Sequence, residues 1–335
     1  MHAPPSITVH YFERKAGAGQ YSLERVFSTV RENLPPHVRP VVLKCPYESQ
    51  GVLNRIRNVL WAWRNAGPVN HITGDVHYLA FLLPKRKTLL TIADCAALVK
   101  NRGLKRWLLW LFWYRLPVWR VRSVTTISTF IKTQLMDLVR CPADKIRPIH
   151  CTVSEEFQPH RKPFCKEEPV LLFMGTTAWN KNLSRVAEAL KGLPCRLVIV
   201  GALGDEQAGA LRESGVVFSR HENLSSEEIV ALYQACDVVI LASTYEGFGL
   251  PIVEGQSIGR PVVTSNVCSM PEVAGAGACL VDPFDVEDIR NSIKRVIEDE
   301  AYREDLIEKG FANVGRFAPK RIAAEYAELY ETLSP

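Results

Sequence analysis

Ser243-Thr244-Tyr245-Glu246-Gly247-Phe248-Gly249-Leu250-Pro251-Ile252-Val253-Glu254 joins a strand end, a glycine turn and a helix start within twelve residues. The run before it, Asp237 to Ala242, is short and apolar, as strands buried in a parallel sheet are. Gly247 and Gly249 flank Phe248 and allow backbone angles that other residues resist, so peptide N–H groups can approach a ligand closely. Pro251 suits the first turn of a helix, where its missing N–H is not needed. A helix beginning there aims unpaired N–H groups and the positive end of its dipole at the turn, which suits a phosphate or a sugar oxygen. Glu246 in the turn and Glu254 about one helical turn inside add two carboxylates, acceptors suited to vicinal hydroxyls. The chemistry indicated is polyol recognition.

The chain of 335 residues is long for one core and comfortable for two domains, and its apolar fraction of 47% is that of a globular protein. No run of about 18 uncharged apolar residues occurs, so no bilayer-spanning helix is expected. The first residues lack a basic-then-apolar signal pattern. Nine cysteines without a C-x-x-C pair make disulfides and structural zinc unexpected and fit a reducing cytoplasm. Residues 1–150 hold 23 Lys and Arg against 8 Asp and Glu, a balance of +15, while residues 151–335 hold 18 against 28, or −10. A half so basic fits nucleic acid, an anionic membrane surface or a phosphate-bearing substrate. No recognised nucleic-acid motif accompanies it, so nucleic acid is not expected.

Periodicity organises the rest. A strand over 6–11, a basic glycine loop over 14–20 and a helix from Ser22 with Leu23, Val26, Phe27 and Val30 on one face open a Rossmann-like unit. Strands follow at 40–45, 69–73 and 88–92, with a basic helix over 51–65. Residues 100–122 hold four of the seven tryptophans among many cations, the composition of an interfacial helix that meets an anionic membrane surface, with a helix buried against the sheet and arginines at its ends as the alternative. The pattern restarts with a strand at 170–174, the turn Gly175–Thr176, and Lys181–Asn182 before a helix. Further strands are expected at 195–201, 216–219 and 261–264, and helices at 229–236, 286–299 and 320–333.

The pattern E-G-F-G-L-P-x-x-E, followed by Gly259-Arg260-Pro261-Val262-Val263 and Ser269-Met270-Pro271-Glu272-Val273, resembles the retaining, nucleotide-sugar-dependent family 4 glycosyltransferases of the GT-B fold. The register is good from about 169 to 297 and weaker over the rest. The resemblance implies an α/β chain with two Rossmann-like doubly wound domains facing each other across a cleft. The acceptor-side domain would be 1–160 plus a crossover helix at about 317–335. The nucleotide-sugar domain would be 161–316, with 158–169 as the hinge.

It also implies a retaining hexosyltransferase that moves a sugar from a nucleotide-diphosphate sugar to a saccharide or lipid-linked acceptor, in cell-surface polysaccharide or lipopolysaccharide assembly. The donor would be a UDP- or GDP-sugar, the base being undetermined, with no cofactor and no metal site. The lack of a D-x-D triplet agrees with metal independence. Location would be cytoplasmic, or peripheral on the inner face of the cell membrane. Carried over by position, the catalytic candidates are Glu246, Lys181 and Asp94. Donor-binding candidates are Gly175, Thr176, Lys181, Asn182, Glu246, Gly247, Phe248, Gly249, Leu250 and Glu254. Gly17, Gly19, Asp75 and His77 are acceptor or cleft candidates. Two departures stand out: Ala93 where members commonly have histidine, and Thr176 where many have arginine. Ala93 keeps a second reading open, a catalytically impaired or non-catalytic sugar-nucleotide-binding homologue.

Overall fold

The computed structural model describes residues 6–15, 22–175 and 178–334. Gly17, Gly19 and Thr176 lie outside the described residues. The chain divides into two compact units, Met1–Thr152 with Ala318–Pro335, and Val153–Phe317.

The first unit is built on a parallel six-stranded sheet in the order β2-β1-β3-β4-β5-β6. Its strands are β1 (Ile7–Glu13), β2 (Val38–Lys44), β3 (Val69–Ile72), β4 (Thr88–Ile92), β5 (Ser123–Thr126) and β6 (Ile146–Pro148). β3 and β4 are buried throughout, as central strands covered on both faces must be. β2 lies at the edge, where Pro40 can be accommodated and where Val41 and Val42 reach solvent. β6 is short: Ile146–Pro148 pairs with β5. Three residues are too few for a strand period to show in the sequence.

The terminal helix Pro319–Leu333 belongs to this unit and buries Ile322, Tyr326, Leu329 and Tyr330 in its core. Burial of phenols requires partners, and a chain of hydrogen bonds supplies them. Tyr11 and Tyr330 hydroxyls lie 2.7 Å apart. His71 Nδ1 is 2.8 Å from Tyr330 Oη, and His71 Nε2 is 2.7 Å from Thr91 Oγ1. Thr91 continues to Thr125 at 2.6 Å. Burial, aided by the nearby Arg31 cation, holds the His71 pKa down to about 3.

The Trp-rich segment forms one helical run: helix Gly103–Leu109, a π-helical stretch Trp110–Arg115, and helix Leu116–Arg120. Pro117 lacks the N–H that would bond the carbonyl of Trp113 four residues back. His77 takes that place, its Nδ1 donating to Trp113 O at 2.8 Å. Among the described residues no helix is long and apolar enough to cross a membrane.

The second unit repeats the architecture in the order β12-β11-β10-β7-β8-β9. Its strands are β7 (Val170–Met174), β8 (Arg196–Val200), β9 (Val217–His221), β10 (Val238–Leu241), β11 (Val262–Ser265) and β12 (Cys279–Val281). Leu171, Phe173, Leu197, Ile199, Val238 and Ile240 form the sheet side of its core. Helices Leu183–Leu190 and Val286–Glu298 cover them with Val186, Leu190, Ile289 and Ile293. The stretch 158–169, expected as a hinge, is fastened along this unit. His160 N donates to Ile258 O at 3.0 Å. The buried Asp237 carboxylate accepts from Cys165 N and Val170 N and pairs with Lys162 Nζ at 2.6 Å. A buried carboxylate demands such partners, and a polar, proline-bearing composition gives no sign of them.

His71 sets a pH prediction for the first unit. Its folded pKa lies below the unfolded value of about 6.5, so the folded state refuses a proton that the unfolded state accepts. Its contribution is therefore full above about pH 6.5 and shrinks as the pH falls toward about 3, by on the order of 1 kcal/mol per pH unit. Denaturant unfolding at stepped pH should show a shallower acid loss for His71→Gln, which cannot protonate. Equal slopes would contradict the neutral, buried imidazole.

Candidate functional site

β7 and β10 are paired in parallel, Val238 opposite Leu171 and Ile240 opposite Phe173. From β7 the chain proceeds to β8 on one side, and from β10 to β11 on the other, so the strand order reverses between them. Doubly wound sheets gather ligands at such a reversal, outside the carboxyl ends of the strands. Two segments meet there, 178–182 following β7 and 242–249 after β10.

Side-chain donors from each loop satisfy carbonyls of the other. Asn182 is held in the left-handed region at φ 65°, which asparagine tolerates, and its Nδ2 donates to Ala242 O at 2.9 Å and Pro283 O at 2.7 Å. Asn180 Nδ2 donates to Tyr245 O at 2.7 Å, and Thr244 N returns a bond to Asn180 O at 2.8 Å. The Ser269 hydroxyl lies 2.8 Å from Glu246 O and 3.0 Å from Phe248 O. Gly175 sits where a Cβ would fall 2.6 Å from the Phe173 ring, so a side chain there would force the loop away from the sheet.

This stitching brings Lys181 and Glu246, 65 positions apart, into an ion pair of 2.8 Å. Their side chains are 21% and 14% exposed, which leaves them less screened than a surface pair. Trp179, half exposed, stacks on Tyr245 next to them with ring centroids 6.3 Å apart. The Cys268 thiol near Glu246 is pushed up, chiefly by burial. Gly249 has φ 101° and starts helix Leu250–Ile258, whose first turn no side chain caps. The positive end of its dipole lies at the turn that carries Glu246. Glu254 lies one turn in, with Oε2 accepting from the buried Tyr233 hydroxyl at 2.6 Å.

Glu246, Lys181, Asn182, Gly175, Gly247, Gly249, Leu250 and Glu254 thus belong to one end of the second sheet. Phe248 differs from expectation: its ring is buried edge-on against Phe317, centroids 5.5 Å apart, so only its backbone can meet a ligand. The remaining candidates lie in the first unit. Asp94 is exposed and accepts from Ala96 N at 2.8 Å, ordering the start of a short helix, and Ala93 before it is half-buried. Asp75 accepts from Trp113 Nε1 at 2.8 Å and stands 4.0 Å from His77 Nε2. His77 is buried and committed to the Trp113 carbonyl, which makes it part of the frame. Sequence reading missed Asn180, Tyr233 and the pinning hydroxyl of Ser269. Their partners are 21 to 65 positions away, and no local pattern signals such bonds.

Two doubly wound parallel sheets, one in each unit, are those of the GT-B fold, as the likeness to solved structures shows. The chain aligns over 98% of its length with sucrose-phosphate synthase from Thermosynechococcus elongatus, at TM-score 0.76, 18% identity and 99% coverage of that chain. It aligns over 97% with Anabaena HepE in complex with UDP-glucose, at TM-score 0.75, 17% identity and 100% coverage of that chain. Residues 154–312, nearly the whole second unit, match the model of the family Glycosyl transferases group 1. The O-antigen chain mannosyltransferase B of Escherichia coli is 31% identical over 234 residues, which cover 63% of this chain and 61% of that protein. The match therefore spans about three fifths of that relative's length.

The turn can be tested without any ligand. At φ 101° an alanine is strained, and its Cβ would fall 3.0 Å from Ile252 Cδ1, so Gly249→Ala should cost about 1 kcal/mol or more. Urea unfolding checks this; an unchanged midpoint would mean that the left-handed turn is not required.

Proposed function

We propose that this chain is a retaining hexosyltransferase. It would move a sugar, with mannose the first candidate, from a nucleoside-diphosphate sugar to a saccharide or lipid-linked acceptor in cell-surface polysaccharide assembly. The observation that carries the reading is the Lys181–Glu246 pair at the strand-order reversal, beside the uncapped start of the Leu250–Ile258 helix. Transfer makes a nucleoside diphosphate leave with growing negative charge. Lys181 and the N–H groups of Gly247 to Leu250 would stabilise that charge, a preorganised electrostatic role. Glu246 would accept hydroxyls of the transferred sugar once Lys181 turns to the diphosphate. Glu254, oriented by Tyr233, would hold the ribose.

With cationic and N–H groups meeting the diphosphate, the reaction would need no divalent ion, and the sequence offers no D-x-D triplet to hold one. Retention follows when the acceptor attacks from the face that the leaving group vacates, a donor phosphate oxygen taking its proton. A carboxylate pair of the glycosidase kind is then unnecessary. Mannose is favoured by the name of the Escherichia coli relative, an O-antigen chain mannosyltransferase, and a nucleotide-sugar donor by the UDP-glucose bound to HepE. The acceptor would be met at an anionic membrane surface, through the cationic aromatic run at 103–120.

Nucleotide release from GDP-mannose, UDP-glucose and other nucleotide sugars, with and without chelator, is the direct test. One donor should turn over in the presence of chelator. Lys181→Ala should lower kcat by about 10²-fold to 10³-fold, the scale for removing one oxyanion-stabilising group, with folding intact. Glu246→Gln should fall in the same range. Full activity in both variants, or no donor bound by the folded chain, would overturn the assignment.

A further inference from the structure

The run from Gly103 to Arg120 has two sides. Its inner side is fixed to helix Thr129–Val139: Trp110 Nε1 donates to Leu138 O at 2.8 Å and Arg115 Nη1 to Val139 O. Those bonds satisfy carbonyls at the end of that helix. Its outer side shows Leu104, Trp107, Leu108, Phe112 and Trp119, all between 41% and 72% exposed. The first four recur at helical spacing, an apolar stripe turned to solvent. Between the run and helix Thr129–Val139 lies a groove of about 670 Å³, lined by Arg106, Trp107, Trp110, Arg115 and Arg140. Its one acidic lining residue is Asp137. Between residues 95 and 136 the sequence has eight Lys and Arg and no Asp or Glu. Arg106 and Arg140 are exposed, and neither forms an ion pair with a carboxylate among the described residues.

We propose that this groove binds the phosphate of an anionic lipid headgroup when the stripe beside it enters the bilayer interface. The inference deepens the membrane-surface reading above and rests on it. Two physical requirements meet here. Apolar rings and leucines lower their free energy by leaving water for the headgroup boundary, while cations beside them stay at phosphate depth. Guanidinium groups suit phosphate because they present paired donors in a plane, and three of them outweigh the single carboxylate of Asp137. Indoles flanking the groove match the interface, with an apolar ring and an N–H.

The test is co-sedimentation of the full chain with phosphatidylcholine vesicles, with and without phosphatidylglycerol. Two charge-matched double variants are compared: Arg106→Ala with Arg140→Ala in the groove, and Lys100→Ala with Lys105→Ala outside it. Binding should require phosphatidylglycerol, and the arginine pair should lose at least about tenfold more affinity than the lysine pair. Inorganic phosphate at matched ionic strength should not release the protein. Failure of the unaltered chain to bind phosphatidylglycerol vesicles would sink the membrane reading and this site with it. Equal losses in the two variants would mean diffuse surface charge and overturn the groove. Release by inorganic phosphate would assign the groove to free phosphate instead of lipid. Nucleotide release from donor sugar in solution, measured on the same variants, reports separately on the transferase reading.

Discussion

Between β7 and β10 the second sheet reverses its strand order, and the site depends on that constraint. Neighbouring strands whose connections run to opposite sides leave a crevice at their carboxyl ends. The loops that border it carry peptide groups needing partners that no strand ladder provides. Asn180, Asn182 and Ser269 answer that need by bonding carbonyls of facing segments. The ion pair of Lys181 and Glu246 follows from that stitching, and a helix start that no side chain caps lies beside it.

The first unit solves a related problem differently. Its core accepts a helix from the far end of the chain, and the phenols of that helix are satisfied by a buried histidine and two threonines. Elsewhere Pro117 interrupts the hydrogen bonding of a helix, and His77 donates to the carbonyl left over. In both places a buried histidine is held by the frame, and His77 is the one that the sequence offers as a cleft candidate. The same helical run keeps its outer face apolar and cationic, which no packing within the unit requires.

Much of the fold was legible because parallel strands and amphipathic helices write their periods into the chain. Val26, Phe27 and Val30 fell on one buried face as their spacing indicated, and so did Ile322, Tyr326 and Tyr330. Strands of three residues, β6 and β12, left no period to read. The fastening of residues 158–169 to Asp237 was also invisible, since a buried carboxylate is recognised by its partners and not by its neighbours in sequence.

By itself, then, the sequence determined the doubly wound class, the glycine turn at 247–249 and the two glutamates around it, because these are set by local backbone freedom and short-range pattern. Only the tertiary structure decided that Lys181 meets Glu246, that Tyr233 fixes Glu254 and that Phe248 turns inward. It likewise decided that His77 belongs to the frame and that Trp113 is buried while Trp107 and Trp119 face solvent. Each of these depends on which groups from distant segments reach one another, and hydrogen bonds and burial across such distances leave no local signature.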